Sequence, residues 1–149
     1  MDKRELLMII DDVLKPHGFK KKGNNWFLEN LDLTKRVNLQ KSQFSNSYYI
    51  NYGYIINSLP LKNSMMHVFR GFSSRSKKEN ILIQKLLDLQ SKVSNETRKT
   101  VLTRLLNENL LSEFQKVNTE EELFNDLKNQ KNLNDIFLDV RNYFGLSNT

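Results

Sequence analysis

Apolar residues recur with two different periods along the chain, and the period changes near Gly18. Before that point, four apolar residues have the spacing of one helix face: Leu6, Ile10, Val13 and Leu14. Asp2 followed three residues later by Glu5 is typical of a helix start, because each can satisfy a free N–H there. Pro16 and Gly18 are typical of a helix end. The pattern predicts a helix over residues 1–17.

From Phe19 the apolar and polar positions alternate with a period of two, which is typical of half-buried strands. The alternation divides at turn-forming residues into five runs: 19–22, 26–29, 34–43, 48–56 and 65–72. In the fourth run Tyr48, Ile50, Tyr52 and Tyr54 share one face. The connections are short, and short connections favour neighbouring antiparallel strands. Residues 18–75 are therefore predicted to form a meander of four or five strands.

Helical spacing returns after Gly71 and continues to the end of the chain. Ser76 with Glu79, and Thr119 with Glu122, predict two helix starts. We expect a break near Asn107. One helix, then strands, then helices over 76–149 is the order of an α+β domain whose C-terminal helices pack on one sheet face. The chain is thus expected to be a single domain, and the other sheet face, open or lining a groove, is where a function would lie.

Composition and charge narrow the classes of function. The 149 residues include no cysteine, which excludes disulfides, thiolate metal sites and cysteine nucleophiles. Net charge is +6, and residues 1–78 hold 14 Lys and Arg against 6 Asp and Glu. Such a surplus favours nucleic acid or an acidic protein as partner. The first apolar run, residues 6–10, is too short for a secretion signal or a membrane span, so we expect a cytoplasmic protein without membrane contact.

Three consecutive lysines, Lys20, Lys21 and Lys22, allow two interpretations. They could contact phosphates as mobile point charges, or they could protect an edge strand against unwanted pairing. A period of two places Lys20 and Lys22 on one side and Lys21 on the other. The structural interpretation is favoured, and the nucleic-acid alternative would add Lys35, Arg36 and Lys41.

Polar and aromatic side chains alternate on the predicted strands and form a candidate binding surface. The candidates beyond the lysines are Trp26, Arg36, Asn38, Gln40, Tyr49 and Asn51. Exposed aromatic residues could stack on bases, although most strand aromatics belong to a core. The amides would form a hydrogen-bonded network if buried, or a binding surface if exposed. The alternation alone does not decide between these two arrangements.

No pattern nominates catalysis, a metal or a cofactor. His17 is expected to end a helix, and His67 is expected to be a packed strand residue. The known nucleotide-binding, metalloprotease, hydrolase and calcium-binding spacings do not occur. A small hydrolase or nuclease built around His67 and Arg70 is the third-ranked possibility, and an enzyme is not the expectation.

Several runs resemble a mostly bacterial family called domain of unknown function 4304. The resemblance is carried by residues 14–23, 26–27, 37–42 and 49–53. Members typically read as a helix, Leu-Lys-Pro-Leu-Gly-Phe-Lys-Lys, an aromatic strand, an Asn-x-Gln-x-Ser strand and a Tyr-x-Asn-x-Gly strand. This chain departs at His17, where leucine is more usual. The resemblance implies an α+β fold, and it implies no established activity or catalytic residues.

The resulting expectation is a non-enzymatic binding protein that captures another protein through the open sheet face. By analogy with other small domains of this kind, it would serve as an immunity or accessory protein. Nucleic-acid binding by the basic aromatic sheet is the alternative.

Overall fold

The structure, a computed structural model, describes residues 1–146 and begins with a capped amphipathic helix. Helix α1 is Lys3–Leu14, and Asp2 caps it by accepting a hydrogen bond from the Glu5 N–H at 2.9 Å. Its apolar face is buried, and a 3₁₀ turn, Lys15–His17, ends at Gly18 with φ 91°. The predicted helix and its end are confirmed.

Five antiparallel strands follow in chain order and pair with their sequence neighbours. They are β1 (Lys20–Lys22), β2 (Asn25–Glu29), β3 (Leu33–Lys41), β4 (Tyr48–Ile56) and β5 (Val68–Gly71). The register aligns one residue from each strand in a row: Lys22, Asn25, Asn38, Asn51 and Gly71. The predicted meander is confirmed with five strands.

The second half is helical. Its helices are α2 (Lys77–Leu86), α3 (Asn95–Leu106), α4 (Ser112–Lys116), α5 (Glu120–Lys128) and α6 (Leu138–Phe144), with a 3₁₀ turn at Leu133–Asp135. Ser76 and Thr119 cap α2 and α5 as the sequence predicts. Gly145, with φ 68°, ends α6. No helix within residues 1–146 is long and apolar enough to cross a membrane.

A single core lies between the helices and one face of the sheet. Phe114 of α4 lies at its centre, with its ring centroid 5.4 Å from that of Tyr52 and 5.5 Å from that of Tyr54. Trp26 is fully buried on the same sheet face, and its Nε1 donates to Asp11 of α1 at 3.0 Å. Both the first and the later helices therefore cover this face, which we call the covered face.

Two elements differ from the sequence prediction. The last strand was expected over residues 65–72, but β5 has four residues, because Met66 folds over Gly53 instead of continuing the ladder. The break expected near Asn107 is a π-helical turn, Asn107–Leu111, which joins α3 to α4 without interrupting the helix. The wider turn adds a residue to the helix and changes which side chains face the sheet.

Candidate functional site

The face of the sheet opposite the helices carries polar and aromatic side chains, and we call it the open face. Strand geometry sends alternate residues to opposite faces, so the residues paired in register with Asn38 share its face. The open face includes Lys20, Lys22, Asn25, Phe27, Arg36, Asn38, Gln40, Tyr49, Asn51, Phe69 and Gly71. It is partly covered by the loop between β4 and β5.

Four amide side chains form a hydrogen-bonded network across β2, β3 and β4. Asn38 Nδ2 donates to Asn25 Oδ1 at 2.8 Å, and Asn51 Nδ2 donates to Asn38 Oδ1 at 3.2 Å. Asn51 Nδ2 also donates to Gln40 Oε1 at 2.9 Å. Asn38 and Asn51 are buried, whereas Gln40 is exposed. The sequence left open whether these amides form a buried network or an exposed surface. The structure has both, because the network is buried at Asn38 and Asn51 and exposed at Gln40.

Arg36 connects this network to the loop that covers part of the face. Its Nε and Nη2 donate to Asn25 Oδ1 at 3.3 and 3.0 Å, and its Nη1 donates to the main-chain oxygen of Met65 at 2.6 Å. The guanidinium carbon lies 5.1 Å from the centroid of the Phe27 ring. Burial lowers the pKa of Arg36, although an arginine remains protonated at neutral pH. Arg36 thus fixes the surface and has few donors left for a ligand.

Two aromatic residues remain accessible on the open face. Tyr49 is 54% exposed and Phe69 is 47% exposed. They belong to neighbouring strands, and Tyr49 is paired in register with Gln40. Large exposed aromatic side chains held on a rigid sheet lose little conformational freedom on binding, which suits them to contact a partner.

The basic residues do not form a single patch. Lys20 and Lys22 lie on the open face, whereas register places Lys21 and Lys41 on the side of the covered face. Lys35 is buried, and its Nζ donates to the Phe114 main-chain oxygen at 2.6 Å and to Asn118 Oδ1 at 2.7 Å. Of the six residues assigned to nucleic-acid binding, only Lys20, Lys22 and Arg36 share the open face.

The remaining sequence candidates have structural contacts. Trp26 is buried against α1. His67 Nδ1 accepts a hydrogen bond from the Ile56 N–H at 2.8 Å, and its Nε2 lies 3.2 Å from the Pro60 oxygen. Arg70 points to the covered face, where its Nη2 donates to Asp126 at 2.5 Å. Both His67 ring nitrogens and the Arg70 guanidinium are engaged, which counts against a catalytic pair.

The covered face holds buried tyrosines with no sign of activation. Burial raises the pKa of both Tyr52 and Tyr54, and the Tyr54 hydroxyl has no hydrogen-bond partner in residues 1–146. A nucleophilic or basic tyrosine requires the opposite shift. Within the same residues, no group of three or more His, Asp or Glu side chains could hold a metal ion.

Comparison with known protein families shows to which family the chain is related. The sequence profile described as "Domain of unknown function (DUF4304)" matches residues 10–116, which exceeds half of the chain. The chain belongs to this family. No curated protein and no solved structure matches this chain. The resemblance predicted from the strand residues is confirmed.

The family match includes every open-face residue of the DUF4304 domain, from Lys20 to Gly71. Four of these residues were absent from the sequence candidates: Asn25, Phe27, Phe69 and Gly71. Asn25 lies between the runs 19–22 and 26–29 that the sequence predicts as strands, so it belonged to neither. The available signal was the two-residue hairpin turn at Gly23 and Asn24, because it pairs Lys22 with Asn25 and so makes Asn25 the first residue of β2. In β2 this residue lies in register with Asn38.

Proposed function

We propose that the DUF4304 domain is a non-enzymatic binding protein that captures another protein through its open face. The observation that carries the proposal is the combination of a rigid amide network with accessible aromatic side chains beside it. The amides are held by one another, so the surface is preformed before a partner arrives. Aromatic residues on such a surface are typical of the residues that dominate protein interfaces.

The aromatic residue best placed at the centre of an interface is Phe69. It lies on β5 beside Gly53 in the register, and Met66 of the covering loop packs over that glycine. The loop, Phe69 and the amide network therefore form one continuous surface. A partner that covers Phe69 would remove apolar area from water without breaking any hydrogen bond of the network.

A photo-crosslinking residue in place of Phe69, introduced in cells of the source organism, tests this proposal. We expect a specific crosslinked protein, and we expect none when the residue replaces Ile81, which is exposed on α2. With the purified partner, Phe69→Ala should raise Kd at least about 30-fold, since a central aromatic contributes about 2 kcal/mol. Ile81→Ala should change Kd less than about twofold. Equal crosslinking at both positions, or an unchanged Kd for Phe69→Ala, would reject protein capture by this face.

Nucleic-acid binding is the second candidate, and Lys20 with Lys22 favours it. These two lysines share the open face and form no ion pair in residues 1–146. Because so few cations share the face, the logarithm of any affinity for single-stranded DNA should fall with salt with a slope no steeper than about −2. Binding with such a slope, reduced by about 1.4 in a Lys20→Ser, Lys22→Ser variant, would instead favour nucleic acid over protein.

A further inference from the structure

A groove of about 650 Å³ lies at the end of the open face where β5 stops. Its sides are the first residues of β4, the residues that follow β5, and residues of α2. This volume is within the range of small-molecule sites in proteins. The groove meets the open face at Tyr49 and Asn51.

The groove lining is uncharged and rich in hydrogen-bonding groups. None of its thirteen lining residues is charged, although Asp, Glu, Lys and Arg make up 27% of the chain. The polar lining is made of hydroxyl and amide side chains, among them Ser47, Tyr49, Asn51, Ser73, Asn80 and Gln84. A charged ligand would lose its hydration here without meeting an opposite charge, which is unfavourable.

Asn51 supplies a hydrogen-bond acceptor that is accessible from the groove. The residue is 5% exposed, and its Nδ2 is directed towards β3, where it donates to Asn38 and Gln40. Its Oδ1 must therefore point away from β3, towards Gly71 and the groove. Within residues 1–146 this oxygen accepts no hydrogen bond. An unpaired acceptor in the groove lining favours a ligand that donates an O–H or N–H.

Gly71 leaves the space above Asn51 open. A Cβ placed on Gly71 would meet no atom within 4 Å, and its backbone does not adopt the left-handed conformation that favours glycine. Neither packing nor backbone geometry therefore requires glycine at this position. The effect of its missing side chain is to keep the groove accessible beside its cross-strand partner Asn51.

The groove has one fixed wall and one aromatic platform. Asn80 is held in place because its Nδ2 donates to the Ser74 oxygen at 2.8 Å and its Oδ1 accepts from the Ser74 N–H at 2.7 Å. Tyr49 exposes more than half of its surface, so its ring can pack against the apolar face of a ligand ring. Gln84 is exposed on α2 and lines the opposite side.

The main-chain edge of β4 in the groove is too short to pair with an added strand. Tyr48 N–H donates to the Leu87 oxygen at 2.9 Å, and Ile50 oxygen accepts from the Phe72 N–H at 2.8 Å. Only the stretch between these two bonds is accessible, whereas strand addition needs several consecutive residues. The groove is therefore suited to a small molecule and not to an extended peptide.

We propose that this groove binds a neutral saccharide. A sugar presents an apolar ring face to Tyr49 and hydroxyl groups to Asn51 and Gln84, and it needs no counter-charge. The proposal goes beyond protein capture by the open face and does not depend on it, because its observations concern the lining and charge of the groove and not Phe69. The two proposals are tested separately, so a negative result for one does not contradict the other.

Saturation-transfer and ¹H–¹⁵N NMR titrations with neutral sugars test the proposal. The probes are glucose, galactose, N-acetylglucosamine, maltose and lactose, with glucuronic acid and glucose 6-phosphate as matched charged sugars and adenosine as a neutral non-saccharide. We expect at least one neutral sugar to bind with Kd below about 10 mM and to shift the amide signals of Gly71 and Gln84. Its charged counterpart should bind at least about tenfold more weakly.

Gly71→Val is the decisive variant, because a branched side chain fits a strand and fills the space above Asn51. It should keep the wild-type melting temperature but lose sugar binding. The control Gln43→Ala, at an exposed position outside the groove, should keep the wild-type melting temperature and the sugar binding. If Gly71→Val does not fold, Tyr49→Ala provides the same test, with at least about a tenfold loss of affinity expected. Absence of binding by every neutral sugar up to about 10 mM would overturn the proposal. So would equal binding of the charged sugars, tighter binding of adenosine, or retained binding in the groove variant.

Discussion

At the residue scale, two glycines on neighbouring strands of the same face have opposite roles. A Cβ on Gly53 would lie 1.7 Å from the Val68 oxygen and 2.7 Å from Met66 Sδ. A Cβ on Gly71 would meet nothing. Gly53 therefore permits the close approach of β5 and of the covering loop, whereas Gly71 leaves accessible space. Neither role can be recognised from the residue type alone.

Alanine substitution should separate these two roles. Gly53→Ala must displace the β5 main chain, and we expect it to lower the free energy of unfolding by about 3 kcal/mol or more. Gly71→Ala should change it by less than about 1 kcal/mol, towards greater stability, because alanine restricts the unfolded chain. Urea denaturation of both variants measures the difference. Equal effects of the two substitutions would contradict the packing described for Gly53.

The amide network should contribute measurably to stability through Asn38. Asn38→Ala removes the donor to Asn25 and the acceptor for Asn51, and Asn38 is buried. We expect the free energy of unfolding to fall by about 1–3 kcal/mol, since buried polar groups lose partners. Gln43→Ala, at an exposed position that makes no such contact, is the control and should change it by less than about 0.5 kcal/mol. A loss for Asn38→Ala no larger than that of the control would show that the network is not stabilising.

The sequence predicts which face of the sheet a residue such as Asn38 lies on, but not whether another segment covers that face. Alternation along β3 places Asn38 and Gln40 on one face and Val37 and Leu39 on the other. It does not show that the loop between β4 and β5 would cover part of the polar face. That coverage depends on Met65 contacting Arg36, which is a long-range contact without a local sequence signal.

At the element scale, β3 is tied to the C-terminal end of α4 by one lysine. Lys35 reaches from the covered face to the main-chain oxygen of Phe114, near the negative end of the helix dipole. Burial lowers the pKa of Lys35 below 10.5, and the charge of Glu122 opposes this effect in part. The ammonium group therefore supports the helix end while its charge is held in an unfavourable environment.

This arrangement predicts a pH dependence of stability. Between the lowered pKa of Lys35 in the folded protein and 10.5 in the unfolded chain, the unfolded chain binds more protons. The free energy of unfolding should therefore rise with pH through that window, and the cost of the buried charge is fully present below it. Lys35→Met should remove the rise, and should lower stability at pH 7 by about 1–3 kcal/mol because two acceptors lose their donor.

Urea denaturation from pH 7 to about pH 9.5 measures this effect. The range ends there because burial raises the pKa of Tyr52 and Tyr54, and above their ordinary value of 10.0 the unfolded chain would ionise first. That ionisation would lower stability as pH rises and would hide the contribution of Lys35. Lys21→Met, on the exposed edge strand, should keep the wild-type slope. If the rise of stability with pH persisted in Lys35→Met, a group other than Lys35 would be its cause.

Elements with local signals were predicted well, and those with long-range causes were not. The caps at Asp2, Ser76 and Thr119 each depend on a side chain and an N–H three residues away, so the sequence contains the complete signal. The π-helical turn has no such signal: its capping residue makes no side-chain hydrogen bond, and its buried side chains are Leu110 and Leu111. Asn107 was therefore interpreted as a break, since asparagine disfavours helix interiors.

At the scale of the whole molecule, the two halves of the chain supply one core between them. Residues 18–75 provide the covered sheet face, and the helices over 76–146 provide Phe114 and its neighbours, which bury that face. The partly buried ion pair between Arg70 and Asp126 joins the halves as well. So does the buried hydrogen bond from Lys35 to the Phe114 main-chain oxygen. Neither half can bury its apolar surface alone, which predicts a single cooperative unit.

The one tryptophan in the chain makes this cooperativity measurable. Trp26 is buried between the sheet and α1, so its fluorescence reports the first half, whereas far-UV circular dichroism reports mainly the helices of the second half. We expect both signals to change with the same midpoint in urea, because breaking either half exposes the core of the other. Phe114→Ala, a change in the second half, should lower both midpoints together and reduce the free energy of unfolding by about 3–5 kcal/mol. If the helical signal were lost first while Trp26 stayed buried, the chain would consist of two separately stable units, and the single-domain interpretation would be wrong.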